Sequence, residues 1–330
     1  MDANHHPQGA PIAWIADPMV DVDTPHVATG VPSNPEVSTT DAGHHNHVHN
    51  DLADQGIGNT SMLASGRWGH PDQLTLPLSD RGLQLADGLF ETLLVAAGQP
   101  LLLDLHLERW RNSAALLGMA APPGAKALRP RIAEAVQRSS IHQGALRLNW
   151  SRGSGGRGLD LPAAGEPQPV HRFWLQLVAW QPSFKPLTAI ISRQERRLAD
   201  SVLSRCKSFA YTAQIQARRE ARAAGADDAL LLNGRGELCC GSAANLLVRR
   251  GSHWLTPADD SGCLPGIMRG RALENGLALE ANLSRDELLR SDGALLINSL
   301  SCRPLVSCDG QQLPPVTAAA AEALWRDLLV

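Results

Sequence analysis

A chain of 330 residues, 43% hydrophobic and 19% charged, can bury a sizeable core and suits two domains of about 150 residues each. A net charge of -3 gives no reason to expect nucleic acid as a partner, and no run of about 18 apolar residues or signal-peptide pattern is present, which predicts a cytoplasmic protein that engages no membrane. The six cysteines lack CxxC spacing and are too sparse for a secreted scaffold, so free thiols are expected rather than disulfides or zinc, although Cys239 and Cys240 are adjacent.

Residues 1–61 are rich in Pro, Gly, Asp, Asn and His without apolar periodicity and read as a disordered His-rich tail, with patterned sequence beginning at Met62. The run His44, His45, His47 and His49 could hold a metal ion, but composition favours a solvated tail and no metal site is assigned. A smaller α/β domain is expected over 62–181. In it Leu89–Val95, Ala145–Trp150 and Arg172–Trp180 read as strands. A helix from Asp104, as N-cap, to Gly118 places Leu107, Trp110, Ala114 and Leu117 on one face. Pro182 and Pro186 mark a linker over 182–186, and a larger α/β domain follows over 187–330. It opens with a strand at Leu187–Ser192 and a helix at Phe209–Ala224 closed by Gly225. A hairpin pattern joins Ala229–Leu232 to Glu237–Cys240 across Asn233 and Gly234, and a second pairs Asn245–Arg250 with His253–Thr256. Then come a helix at Gly266–Asn275, a capping box at Ser284 and Glu287, a buried strand at Ala294–Asn298 and a last helix over Thr317–Leu329.

Three segments carry candidate chemistry. Gly153 to Gly158 form a glycine-rich loop after a strand, but Leu159 to Pro162 open no helix, which rejects a dinucleotide fingerprint and leaves either a flexible loop or a substrate loop with Arg157 as an anion ligand. Gly266 begins a helix after Pro265, so its free amides and positive end suit a phosphate, as any helix start does. Of the 30 basic residues only Lys126, Lys185 and Lys207 are lysines. Lysine differs from arginine in being able to lose its proton, and Lys207, beside Arg205 and ahead of the single tyrosine Tyr211, is a candidate amine nucleophile. A solvated surface lysine is the plainer explanation of such a position.

Several motifs occur together and in order: Ser79-Asp80-Arg81-Gly82 through Asp87-Gly88-Leu89-Phe90-Glu91-Thr92; His106-Leu107-Glu108-Arg109; Lys207 through Gly225-Ala226-Asp227-Asp228; Gly241 to Leu246; and Leu264-Pro265-Gly266-Ile267-Met268-Arg269. This series resembles the class IV aminotransferases over roughly Asp80 to Leu305. Arg152 to Gly158 and the paired cysteines are most similar to the aminodeoxychorismate lyases of that family, which release pyruvate from 4-amino-4-deoxychorismate to give 4-aminobenzoate for folate synthesis. The resemblance implies a two-domain mixed α/β fold of type IV, a homodimer, pyridoxal 5'-phosphate as cofactor and a small amino compound as substrate. It implies Lys207 as the Schiff-base and proton-carrying residue, Arg109 with the amides at Gly266, Ile267 and Met268 as phosphate ligands, Tyr211 near the cofactor's phenolic oxygen and Ser299 as a further phosphate ligand. Arg157 and Phe90 are assigned to the substrate. Where the family places a glutamate for the pyridine nitrogen this chain has Cys240, and Leu85 and Ala86 replace the usual tyrosine and glycine. A thiol holds the ring proton less well than a carboxylate, which favours elimination over transamination. A branched-chain or D-amino-acid aminotransferase, for which Glu91 speaks, and a non-catalytic binding relative are the alternatives.

Overall fold

Branched and aromatic residues collect in two sets of strands, and the structure, a computed structural model describing residues 9–17, 63–155, 158–163, 166 and 168–330, builds a sheet from each. In the first, β1 (Ile12–Ala16), β2 (Gly66–Gly69), β3 (Gly88–Ala96), β4 (Gln99–Pro100), β5 (Gly144–Ser151) and β6 (Arg172–Ala179) run antiparallel in the order β2-β1-β6-β5-β3-β4. Beside it lie helices α1 (Arg81–Leu85), α2 (Leu103–Leu116) and α3 (Ala125–Ser139). The apolar stripe of α2, Leu107, Trp110 and Ala114, meets Leu128, Ile132 and Ala135 of α3 and the strand residues Leu93, Leu148 and Phe173 in one core.

The second sheet holds β7 (Leu187–Arg197), β8 (Asp228–Asn233), β9 (Leu238–Gly241), β10 (Asn245–Arg250), β11 (His253–Pro257), β12 (Ala278–Ala281), β13 (Ala294–Asn298), β14 (Ser301–Cys308) and β15 (Gln311–Gln312). Its order is β12-β11-β10-β13-β14-β7-β8-β9, with β15 on β14. β9 also meets β10 through Cys240 and Asn245, so the strands from β10 round to β9 close on themselves. β7 and β8 are parallel, which requires a crossover, and α4 (Thr212–Ala223) supplies it. In the same way α5 (Ile267–Glu274) joins β11 to its parallel neighbour β12. Helices α6 (Arg285–Leu289) and α7 (Ala318–Asp327) complete the set described; Ser284 and Glu287 form the expected capping box, and Thr317 caps α7. All six cysteines are free thiols.

Three expectations need correction. The tail is not structureless throughout, because β1 lies inside 1–61, pairs with both β2 and β6, and buries Trp14 to 1% exposure. The histidine run at 44–49 lies outside the described residues. Asp104 is not the N-cap of α2: Leu102 precedes the helix in a left-handed conformation (φ 52°), and Asp104 sits in the first turn, paired with Arg129. The helix expected from Phe209 starts only at Thr212, since Phe209 N–H donates to Gly88 O at 2.9 Å and holds that stretch along β3. In addition, α3 was hidden by its internal Pro130, and β14 by Pro304.

Candidate active site

Pairing along β3 positions the reactive amine. Phe90 N–H donates to Lys207 O at 2.9 Å, and Leu89 and Ser208 form an isolated bridge, so the segment from Lys207 to Phe209 lies as a short antiparallel rung on the first sheet. Gly88 permits this approach, because a Cβ there would meet the Phe209 ring at 2.3 Å. Lys207 then faces a cavity of about 490 Å³ between the two sheets. Its Nζ donates to the Tyr211 hydroxyl at 3.1 Å and lies 4.3 Å from the centre of the Phe90 ring, which meets the Tyr211 ring edge-on.

Nine of the ten residues singled out in the sequence line this cavity: Phe90, Arg109, Lys207, Tyr211, Cys240, Gly266, Ile267, Met268 and Ser299. The tenth, Arg157, lies outside the described residues. On either side of it the described residues are held: Gly153 adopts φ 79° at a point where a Cβ would meet Val170 O at 1.8 Å, and Arg81 donates to the Gly158 and Leu159 carbonyls at 3.2 and 3.1 Å.

Arg109 projects from α2 with its guanidinium plane fixed. Nε donates to Glu91 Oε1 at 2.8 Å, Nη2 to Glu91 Oε2 at 2.5 Å, and Nη1 to Pro265 O at 3.1 Å. A guanidinium carries five N–H groups, so two remain unclaimed among the described residues. The Pro265 bond ties α2 of the first sheet to the loop that enters α5 of the second. At that entrance Gly266 is an N-cap without a side-chain partner, and its carbonyl first accepts from Gly270, which leaves the Ile267 and Met268 amides ahead of the first helical bond. A Cβ on Gly266 would come within 1.9 Å of Asn245 Oδ1. Arg109 and the amides of α5 therefore present donors at one end of the cavity, with the Ser299 hydroxyl also in the lining, and the Lys207 amine stands on another wall. This donor set suits a phosphorylated aldehyde, with a fork-shaped cation and a helix start for the phosphate and an amine for the carbonyl.

Three features were not visible in the sequence. Glu91 is fully buried and outside the cavity lining, accepting from Arg109 and lying 2.7 Å from His106 Nδ1, so its presence does not speak for an aminotransferase. Burial alone raises its carboxyl, but Arg109 and His106 outweigh that and hold it down to about 2. His106 in turn places Nε2 3.2 Å from Ser299 Oγ. Third, Arg147 on β5 reaches the cavity with its guanidinium 3.6 Å from the centre of the Phe90 ring; it donates to Asn149 Oδ1 and has no carboxylate partner among the described residues. Burial brings it down to about 10, still a cation at neutral pH.

Cys240, on β9 where that strand touches β10, faces the cavity from the second sheet. Burial pushes its thiol up to about 12, and Arg197 is the foremost charge acting against that rise. The expected carboxylate is therefore replaced by a neutral thiol near an arginine. Glu237 does not substitute for it, being held by Asn233 and Arg235. No group of three or more His, Cys, Asp or Glu among the described residues forms a metal site, and none of their helices is long and apolar enough to cross a membrane.

Comparison with known proteins follows the same lines. A Schizosaccharomyces pombe protein provisionally named an aminodeoxychorismate lyase is 31% identical over 217 residues, 64% of this chain and 85% of its own length. The D-alanine aminotransferase of Bacillus licheniformis is 26% identical over 280 residues, 81% and 97% of the two chains. A Legionella pneumophila crystal structure, provisionally a 4-amino-4-deoxychorismate lyase, superimposes with a TM-score of 0.70 at 27% identity, covering 77% of this chain and 94% of that one. The model of the amino-transferase class IV family matches residues 88–308, from the strand that holds Lys207 in place to the end of β14. A match over more than half of the sequence decides the matter: this chain belongs to the class IV aminotransferases, enzymes of fold type IV that work with pyridoxal phosphate.

Proposed function

We propose that this enzyme is a 4-amino-4-deoxychorismate lyase, releasing pyruvate and 4-aminobenzoate, and that it acts as a homodimer in the cytoplasm. The observation that carries the reading is the neutral Cys240 thiol, pushed up to about 12, in the lining of the cavity that also holds the Lys207 amine and the Arg109 guanidinium. Pyridoxal phosphate, when bound, supplies an aldehyde that links to amines and a ring that draws electrons from the neighbouring carbon. Lys207 Nζ would hold the aldehyde and, once displaced by the substrate amine, would take the proton from the amine-bearing carbon and return it to the departing pyruvate. Tyr211, 3.1 Å from that nitrogen, orients it. Arg109, the Ile267 and Met268 amides and Ser299 hold the phosphate. Arg147, a cation without a carboxylate partner in the described residues, suits a carboxylate of the substrate, the part first given to Arg157.

A thiol that stays neutral cannot keep the pyridine nitrogen protonated, which weakens the ring as an electron sink. Transamination depends on that sink throughout. Loss of pyruvate gains its own driving force from aromatisation of the product, so it suffers less. The second reading, an aminotransferase, draws support from the likeness to a D-alanine aminotransferase. Incubating the purified enzyme with aminodeoxychorismate, and separately with leucine, glutamate and D-alanine, tests both readings. 4-Aminobenzoate with little conversion to pyridoxamine phosphate is the expected result. Efficient conversion by an amino acid with no 4-aminobenzoate overturns the lyase, and silence in both assays identifies a non-catalytic binder.

A further inference from the structure

We infer that His106 is a proton-holding residue for phosphate recognition: it takes up a proton when a phosphate dianion docks, and so frees the Ser299 hydroxyl to donate to the anion. This rests on the phosphate placement proposed above. Glu91 Oε2, His106 and Ser299 form one line from the core to the cavity, with His106 Nδ1 2.7 Å from the carboxylate and Nε2 3.2 Å from the hydroxyl. Glu91 and His106 are 0% and 1% exposed, so the carboxylate–imidazole contact lies inside the core, while Ser299 stands at the cavity wall. An ionised Glu91 can only accept, which keeps a proton on Nδ1. In the neutral imidazole Nε2 must then accept as well, and the Ser299 hydroxyl is the donor it faces. A hydroxyl has one proton. Given to Nε2, it cannot also be given to a phosphate oxygen, and Ser299 would turn lone pairs toward the anion. Once Nε2 carries a proton the direction reverses, and the serine O–H points into the cavity.

The charges around His106 make the state conditional. Burial pushes the imidazole below its usual value most strongly, Glu91 on β3 pulls it up, and Arg109 on α2 and Lys207 push it down again. A dianion beyond Ser299 offsets both of those cations and adds an acceptor that only the protonated relay can satisfy. The free site therefore has its imidazole depressed and the bound site has it raised. At a pH between the two values binding takes up about one proton, and affinity falls as pH rises, by at most about tenfold per pH unit.

The test uses the full chain freed of cofactor and methyl phosphate as probe, which has no carbonyl for Lys207 and no ring nitrogen of its own to titrate. Calorimetry in two buffers of different ionisation enthalpy, repeated across pH, should show uptake rising to about one proton, with the phosphorus resonance of the bound probe that of a dianion. His106→Gln should bind more weakly and without uptake. Ser299→Ala, which leaves the Glu91 and Arg109 contacts in place, should lose most of the uptake as well, and serves where the glutamine variant does not fold. Binding by the unaltered chain without uptake, a probe bound as monoanion, or undiminished uptake in either variant overturns the inference. Arg109→Ala separates the two levels: binding indifferent to that change removes the phosphate placement and this inference with it, whereas binding that needs Arg109 but takes up no proton removes the proton link alone.

Discussion

Lys207 is one of only three lysines, and the other two lie on α3 and in the segment between the sheets, away from the cavity. Lys207→Ala should therefore abolish the imine absorbance of the holoenzyme, and a borohydride-reducible adduct at any other residue would sink the assignment. Arg109 serves two masters, the proposed phosphate and the buried Glu91. Arg109→Ala should weaken cofactor binding by about 2 kcal/mol, the scale of a charge-assisted hydrogen bond. It should also lower folding stability by about 3 kcal/mol, because an ionised carboxylate stays buried with only a histidine beside it. A thermal melt of the cofactor-free variant reads the second effect without the first, and an unchanged melting temperature would show that Glu91 does not depend on Arg109. Cys240 can be tested by restoring the family's acid: Cys240→Glu should shift the balance from 4-aminobenzoate formation toward half-transamination, and an unchanged product ratio would separate the reaction type from this position.

The entrance of α5 places the proposed phosphate site, and its geometry leaves no room for a side chain. Gly266→Ala should push the helix start away from Asn245, whose Oδ1 stands 1.9 Å from the new Cβ and whose Nδ2 is engaged with Leu264 O. Cofactor affinity should fall at least about tenfold, or about 1.4 kcal/mol, with the fold retained, and equilibrium dialysis with pyridoxal phosphate would reveal any variant that binds normally. At this scale most strands and helices were legible, because their periodicity is local. Leu89–Val95, Ala145–Trp150 and Ala294–Asn298 each fall within one observed strand, and Ser284 with Glu287 is a capping box that needs no tertiary information. Motif order also brought Lys207, Arg109 and Gly266 together across the chain. What periodicity could not supply was side-chain direction. Glu91 sits beside the lining residue Phe90 and looks equally available, yet alternation along β3 sends it to the opposite face, into the core. Arg147 reads as an ordinary strand residue until the pairing of β5 with β3 sets it opposite Thr92 on the cavity side. Ala86 takes the left-handed position, φ 57°, after α1, which explains why glycine is usual there and shows that alanine is tolerated.

On the scale of the whole molecule, the cavity exists because two separately built sheets are held together by Arg109 reaching Pro265, while Ser183 N–H donates to Leu300 O and Cys302 N–H to Ser183 O, fixing the connecting segment on the second sheet. The first sheet is in turn completed by a strand far from it in sequence. β1 is only Ile12 to Ala16, set between Pro11 and Asp17 in a segment dominated by Pro, Gly, Asp and His, so a composition argument over the tail conceals it. Its partners β2 and β6 lie roughly fifty and 160 residues away, a pairing no local window can detect. Trp14 packs its ring 5.9 Å from Phe173 and 4.4 Å under the Arg131 guanidinium, and Gly66 leaves room for it, since a Cβ there would meet the indole at 2.2 Å. A chain beginning at Met62 would retain every residue of the cavity wall and still expose the edge of β6, whose Phe173, Leu175 and Leu177 are fully buried in the intact sheet. An uncovered apolar edge invites pairing between chains. That shortened chain is therefore expected to be recovered mainly as aggregate. Trp14→Ala in the full chain should cost about 3–5 kcal/mol, the range for emptying an aromatic site in a core. A chain starting at Ala10 should behave as the full one. If the Met62 chain instead remains soluble with an unchanged melting temperature and cofactor affinity, β1 is an ornament on the sheet rather than part of its structure.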